Sequence, residues 1–116
     1  MNIRLHEIEL GSADVARSNA FYEAVFGRVA SVAGAGLAVF SFPETPLDFN
    51  TSTHLPAGEL VVRFYTDDLD EVMDRLVSLH VRFSPPAPTH LDRVFIGFRD
   101  PDGYRLEVHA ERCRNA

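Results

Sequence analysis

The sequence has little of what defines several common protein classes. It contains a single cysteine, Cys113, so no disulfide can close within the chain and no cluster of thiolate ligands can form. Such a chain suits a reducing compartment, and we expect a cytoplasmic protein. The segment at residues 1–7 lacks the apolar core of a signal peptide. No apolar run reaches the roughly 20 residues needed to span a bilayer.

Basic residues are also scarce, with 11 Lys and Arg against 17 Asp and Glu and a net charge of −6. An acidic chain without a basic cluster is a poor match to nucleic acid or to an anionic membrane, so we expect neither partner. Glycine-rich phosphate loops, nucleophile elbows and two-histidine helix motifs are missing as well. These absences leave a globular protein that acts on, or binds, a small molecule or another protein.

A hairpin near the carboxyl end carries the clearest pattern. Turn residues occupy its middle, with Asp100 and Asp102 able to bond local amides and Gly103 able to adopt positive φ. The flanking strands alternate, so one face is apolar. The other face places Phe95, Glu107 and His109 together. This face fits either an ordinary outer surface or the lining of a pocket.

The remaining segments alternate between strand and helix patterns. In the first half, we predict a strand over 3–12, a helix from Asp14 to Phe26 ended by Gly27, and strands over 28–33 and 36–42. Residues 43–58 are predicted to be mainly loop, with a possible short strand near Leu47–Phe49. In the second half, we predict a strand over 59–66, a helix from Leu69 to Leu79 capped by Asp67 and Asp68, a strand at Val81–Ser84, a loop at Pro85–Pro88, and then the hairpin.

The two halves of the chain match at an offset of 54 residues. Asp14 then falls on Asp68, Ser12 on Thr66 and Ile8 on Val62. Each half reads as a βαβββ module, one of about residues 3–54 and one of about 58–110, within a single domain over 1–116. We therefore predict an α+β fold in which two βαβββ modules form a curved, mostly antiparallel sheet, with the helices outside and a concave cup inside.

Strand alternation selects the side chains that line this cup. They are Glu7, Glu9, Val61, Arg63, Tyr65, Phe95, Glu107 and His109. Val61 is apolar, so the other seven residues form our predicted ligand pocket. It combines carboxylates, a guanidinium and aromatic rings, which suits the binding of a small molecule.

Three segments resemble one known family. The segments are Glu7-Ile8-Glu9-Leu10 with the Phe26-Gly27 helix end, the Thr66–Asp70 helix start, and the terminal stretch Phe98–Glu107. All three are similar to signatures of the vicinal oxygen chelate superfamily. That group includes glyoxalase I, bleomycin-resistance and fosfomycin-resistance proteins, and extradiol dioxygenases. The resemblance covers about residues 3–109. It implies the cupped fold and a homodimer.

The same resemblance implies three positions for metal ligands in the cup, which are Glu7, Val61 and Glu107 in this sequence. Val61 has no donor atom. Two carboxylates make a weak site for Zn²⁺, Ni²⁺ or Fe²⁺, which favour three or more protein donors. We therefore expect no metal cofactor. If a divalent metal does bind, Glu7 and Glu107 are its expected ligands. Without one, Arg63 is the cation expected to pair with the carboxylates.

Three functions stay open, and the missing donor at Val61 favours the first. It is a metal-independent small-molecule binding protein of the bleomycin-resistance type, with Glu7, Glu9 and Glu107 holding cationic or hydrogen-bonding groups and Tyr65 and Phe95 stacking. The second is a lyase, isomerase or dioxygenase, with Glu7 or Glu107 as base or metal ligand and Arg63 stabilising an oxyanion. The third is an interaction module whose cup is filled by its own side chains. No catalytic residue is assigned.

Overall fold

The fold is α+β, and over residues 1–111 it has two helices and eight mostly antiparallel strands in the βαβββ order that the sequence predicts. The computed structural model describes residues 1–111, and Cys113 lies outside them. The elements are β1 (Ile3–Gly11), α1 (Val15–Phe26), β2 (Val32–Ala33), β3 (Leu37–Phe42), β4 (Thr45–Ser52), β5 (Leu60–Thr66), α2 (Leu69–Ser78), β6 (Ala87–Thr89), β7 (Arg93–Arg99) and β8 (Arg105–Glu111). Neither helix of this described part is long and apolar enough to cross a membrane.

The internal duplication is visible where the two helices begin. Asp14 caps α1 by accepting a hydrogen bond from the amide of Arg17 at 3.1 Å. Asp68, 54 positions later, caps α2 in the same way with the amide of Glu71 at 3.0 Å. Two residues before each cap, the Ser12 and Thr66 hydroxyls accept from the cap amides. Both helices therefore start through the same local chemistry, at the offset of 54 residues that the sequence predicts.

The chain divides into two compact units. The first unit, His6–Val61, has strand order β2-β3-β4-β1, in which β3 is antiparallel to both neighbours and β1 is parallel to β4. Helix α1 covers one face of this sheet, where the ring of Phe26 packs edge-on against Phe40 and Phe49. Because side chains alternate along each strand, Glu7 and Glu9 project from the other face.

The described part of the second unit comprises Met1–Leu5 and residues 62–111. Its strand order is β5-β8-β7-β6, with β7 antiparallel to β6 and β8. A hydrophobic core of Val72, Leu76, Ile96 and Val108 joins α2 to one face of β7 and β8. Alternation then places the neighbours of Val108, Glu107 and His109, on the face away from α2.

The hairpin turn forms as its residue types predict. The Asp100 carboxylate accepts from the amides of Asp102 and Tyr104, each at 2.9 Å. Gly103 adopts φ +92°, a left-handed conformation that favours glycine. The turn therefore fixes the register that brings Gly97 opposite Glu107.

Several predicted segments were wrong. The strand predicted over 28–33 is reduced to β2 (Val32–Ala33). Residues 43–58 are not mainly loop, because β4 runs from Thr45 to Ser52 between β3 and β1. Its proline, Pro46, lies beside a register shift where Phe42 pairs with Thr45. A proline without an N–H is tolerated at such an irregularity, so the proline signal was misleading here.

The strand predicted at Val81–Ser84 is reduced to one isolated bridge between Phe83 and Phe98. A strand instead forms at Ala87–Thr89, which overlaps the Pro85–Pro88 segment that we predicted as loop. β6 lies at the edge of the second unit's sheet. An edge strand has one unpaired side, so Pro88 costs it no required hydrogen bond.

Candidate functional site

Glu107 lies at the centre of a charged cluster in the second unit. Only 7% of the residue is exposed. The Arg63 guanidinium donates from Nε to Glu107 Oε1 at 2.7 Å, and Nε2 of His109 lies 2.9 Å from the same oxygen. A guanidinium nitrogen of Arg105 lies 3.8 Å from the other oxygen, Oε2. Three nitrogen-bearing side chains thus surround one buried carboxylate.

This environment keeps Glu107 ionised. Burial by itself raises the pKa of Glu107, but the hydrogen bonds from His109 and Arg63 and their charges outweigh it, so the pKa lies below the ordinary value. An ionised carboxylate only accepts hydrogen bonds. Nε2 of His109 must therefore carry the proton that it shares with Glu107.

Phe95, on the neighbouring strand β7, stacks against His109 on β8. Phe95 and His109 are directly paired across β7 and β8, and their rings stack with centroids 5.1 Å apart at 20°. Stacking and hydrogen bonding together restrict the imidazole to one orientation. The structure thus brings four predicted pocket residues, Arg63, Phe95, Glu107 and His109, into one cluster.

A groove of about 680 Å³ opens beside this cluster. Its floor includes Gly97, where an added Cβ would lie 3.6 Å from Ser84 Oγ and 3.9 Å from Glu107 Cγ. The absence of a side chain at Gly97 therefore helps to keep the groove open. The lining residues are mostly apolar, with three charged side chains: Ser84, Pro85, Pro86, Ala87, Pro88, Phe95, Gly97, Phe98, Arg99, Arg105, Leu106 and Glu107.

Tyr65, also predicted for the pocket, belongs to a neighbouring cluster of the same unit. Its hydroxyl donates to Glu111 Oε1 at 2.7 Å. The guanidinium carbons of Arg4 and Arg93 lie 5.1 and 5.0 Å from its ring centre, within cation–π range. Burial and the Glu111 carboxylate raise the pKa of Tyr65, so it stays a hydroxyl donor.

The carboxylates of Glu7 and Glu9 are positioned within the first unit by β4. The Asn50 amide donates from Nδ2 to Glu7, and the Ser52 hydroxyl donates to Glu9. Glu9, Asn50 and Ser52 are all buried. The sequence prediction missed Asn50 and Ser52 because they fell in the presumed loop. The alternation of Leu47 and Phe49 with polar neighbours was the signal that could have found them.

The residues do not fit a three-donor metal centre. At the positions implied by the resemblance, Val61 is fully buried hydrocarbon. At Glu107, Oε1 already bonds a guanidinium at 2.7 Å. Across residues 1–111, no group of three His, Cys, Asp or Glu side chains is placed to hold a metal ion. Joint contact of the seven predicted pocket residues with one ligand stays a prediction.

Comparison with known proteins agrees with this architecture. Residues 4–108 match the family model described as the Glyoxalase/Bleomycin resistance protein/Dioxygenase superfamily. Metallothiol transferase FosB of Lysinibacillus sphaericus (strain C3-41) is 31% identical over 105 residues, which cover 84% of this chain and 74% of FosB. The name of this relative indicates that metal use occurs in the family.

Two solved structures illustrate the likeness of fold. A superfamily member from Vibrio splendidus 12B01 has a TM-score of 0.69 at 14% identity, with 95% of this chain and all of that chain covered. A variant of methylmalonyl-CoA epimerase from Streptomyces coelicolor, in complex with 2-nitronate-propionyl-CoA, has a TM-score of 0.68 at 18% identity, with 95% and 98% covered. At these identities the likeness concerns the fold alone.

Proposed function

Because the chain belongs to the glyoxalase/bleomycin resistance protein/dioxygenase superfamily, we propose that it is a metal-independent small-molecule binding protein. The observation that carries this proposal is the Arg63–Glu107 ion pair, buried beside an apolar groove in the second unit. A guanidinium here neutralises the carboxylate, which is the part that a metal would otherwise play. We further propose that the chain is a single domain that works as a homodimer in the cytoplasm.

The groove suits a ligand with a flat apolar body and a polar end. Phe95 and the Pro85–Pro88 segment offer apolar contact surface. Glu107 accepts a hydrogen bond from a donor or cationic group of the ligand. The Arg105 side chain, 38% exposed, can pair with an anionic group at the same end.

The first unit offers acceptors of its own. Glu7 and Glu9 are held in fixed positions by Asn50 and Ser52, so their orientation is set before any ligand arrives. Preorganised acceptors lose less entropy on binding. We therefore propose both as acceptors for hydrogen-bond donors of a small molecule.

The enzyme alternative receives less support at Glu107. A general base works best when its pKa lies near the operating pH, whereas the pKa of Glu107 is lowered. Its Oε1 atom is also engaged by Arg63 and His109. Deprotonating a substrate would require Glu107 to give up this stabilisation. Binding without chemistry uses the ionised carboxylate as it stands.

Fluorescence titration with 1-anilinonaphthalene-8-sulfonate tests the proposal, because this dye combines aromatic rings, an N–H donor and an anionic group. We expect saturable binding of one dye per chain, unchanged by EDTA. Gly97→Val should fill the groove floor and weaken binding at least about tenfold, equivalent to roughly 1.4 kcal/mol. Gly34→Val, at a glycine where an added Cβ would meet one carbonyl at 3.5 Å, is the matched control outside the groove.

Two results would overturn the proposal. One is dye binding that EDTA abolishes and that added Zn²⁺ or Mn²⁺ restores. The other is equal binding by the wild type and Gly97→Val, with near-ultraviolet circular dichroism showing both to be folded. The first would assign a metal-dependent site, and the second would remove the groove from the binding site.

A further inference from the structure

Helix α1 presents an apolar surface on the side that faces solvent. Phe21 and Val25 are 62% and 61% exposed. Ala16, Ala20 and Ala24 are exposed beside them. Exposed helix faces are normally polar. On α2 the exposed residues include Asp70, Asp74 and Arg75, with Val77 as an apolar exception. We call the exposed α1 residues Ala16, Ala20, Phe21, Ala24 and Val25 the α1 face. We propose that it is the contact surface between two copies of this chain.

The spacing of these residues favours helix-to-helix contact. Ala16, Ala20 and Ala24 are four positions apart, so they form one line along the helix. Phe21 and Val25 form a parallel row of larger side chains. Small side chains allow two helix axes to approach to about 8 Å, and the larger row then packs along the side of the contact.

An antiparallel two-fold pair satisfies the charges at the helix ends. Helix α1 has no acidic residue in its first turn and no basic residue in its last turn, whereas α2 has both. A two-fold axis near Ala20 and Phe21 places Arg17 of each copy beside the last turn of the partner helix. The carbonyl end of that helix and Glu23 make this region negative. Each copy thus supplies the cation that the other lacks.

The same axis matches a protruding side chain to a hollow. A depression of about 370 Å³ lies along the first turns of α1, and its lining includes Asp14, Arg17, Ser18 and Phe21. The axis brings Val25 of the partner subunit level with this depression. A surface that is complementary to itself in this way is what a two-fold dimer requires.

The available area predicts a weak dimer. The α1 face has five residues per copy, far fewer than the roughly 20–30 residues that each partner contributes to a standard stable interface. We therefore expect a dissociation constant on the order of 10 µM. This inference rests on the proposed homodimer and adds the surface that forms it.

Sedimentation velocity over a wide concentration range tests the surface. We expect the wild type to shift from monomer to dimer as its concentration rises. Ala20→Arg, which places like charges near the axis, should raise the dissociation constant at least tenfold. Val77→Arg, at a 62% exposed position of α2, should leave it unchanged. Thermal unfolding of both variants checks that they remain folded.

A crosslinking experiment provides the second arm. In a Cys113→Ser background, Ala20→Cys should form an interchain disulfide under mild oxidation, and Val77→Cys should not. Two results together would rule out the α1 face as the contact surface while leaving the homodimer intact. They are a dimer that persists in Ala20→Arg and the absence of crosslinking in Ala20→Cys. A wild type that stays monomeric at all concentrations would overturn both.

Discussion

Nε of Arg63 lies 2.7 Å from Oε1 of Glu107, and the two side chains are only 14% and 10% exposed. A charge pair so well shielded from water depends strongly on each partner, because losing one leaves the other unpaired in a medium of low polarity. Glu107 also occupies one of the strand positions where the family resemblance implies a metal ligand. The stability of the second unit and the proposed ligand binding therefore depend on the same two residues.

Arg63→Met should destabilise the protein and raise the pKa of Glu107. Removing the guanidinium leaves His109 as the remaining strong donor to Glu107 Oε1, at an expected cost of about 3 kcal/mol. Arg75→Met is the matched control, since Arg75 is 66% exposed in its pair with Glu71 and exposed pairs contribute less than about 1 kcal/mol. Urea unfolding at pH 7 measures both. Equal losses in the two variants would contradict the buried role of Arg63.

Glu107→Gln should make the free energy of unfolding less dependent on pH in acid solution. Because folding lowers the pKa of Glu107 below its ordinary 4.5, the carboxylate contributes stability above that value and loses it as the pH falls through the folded pKa. The variant should be less stable than the wild type at pH 7. It should lose less further stability between pH 5 and pH 3. Denaturant unfolding across this range provides the measurement.

Glu44→Gln is the control for that profile, because the Glu44 side chain is 68% exposed. Its stability should follow the wild-type curve over the same pH range. If Glu107→Gln lost as much stability as the wild type between pH 5 and pH 3, Glu107 would not be held ionised by its neighbours.

Two glycine-to-alanine changes should have opposite effects. An added Cβ at Gly11 would lie 1.9 Å from the carbonyl oxygen of Pro56, so Gly11→Ala should cost more than about 2 kcal/mol through forced backbone movement. Gly97 has ordinary contact distances, so Gly97→Ala should be neutral or stabilising by about 0.5 kcal/mol. Thermal unfolding compares them, and a stable Gly11→Ala would refute the close approach.

Local rules predicted much of this molecule. The Asp14 and Asp68 caps follow from side-chain chemistry within three residues. The alternation around Val108 correctly placed Glu107 and His109 away from the core. These features depend on neighbours in sequence, which a reader of the sequence can see.

The features that were missed depend on distant pairing. Pro46 favoured a loop, yet pairing with strands on both sides holds β4 in place. The contact of Asn50 with Glu7 spans 43 positions, and the cations around Tyr65 come from Arg4 and Arg93. Such contacts are set by tertiary structure, which overrides local preference.

We propose that Glu107 meets its ligand as a carboxylate paired with Arg63 rather than as a metal ligand. Carbon-13 NMR of the glutamate carboxyl groups, with Glu107 assigned by its loss in Glu107→Gln, tests this directly when equimolar Mn²⁺ is added. We expect the Glu107 signal to stay sharp and to titrate below its ordinary pKa. Selective paramagnetic broadening of that signal, removed by EDTA, would contradict the claim.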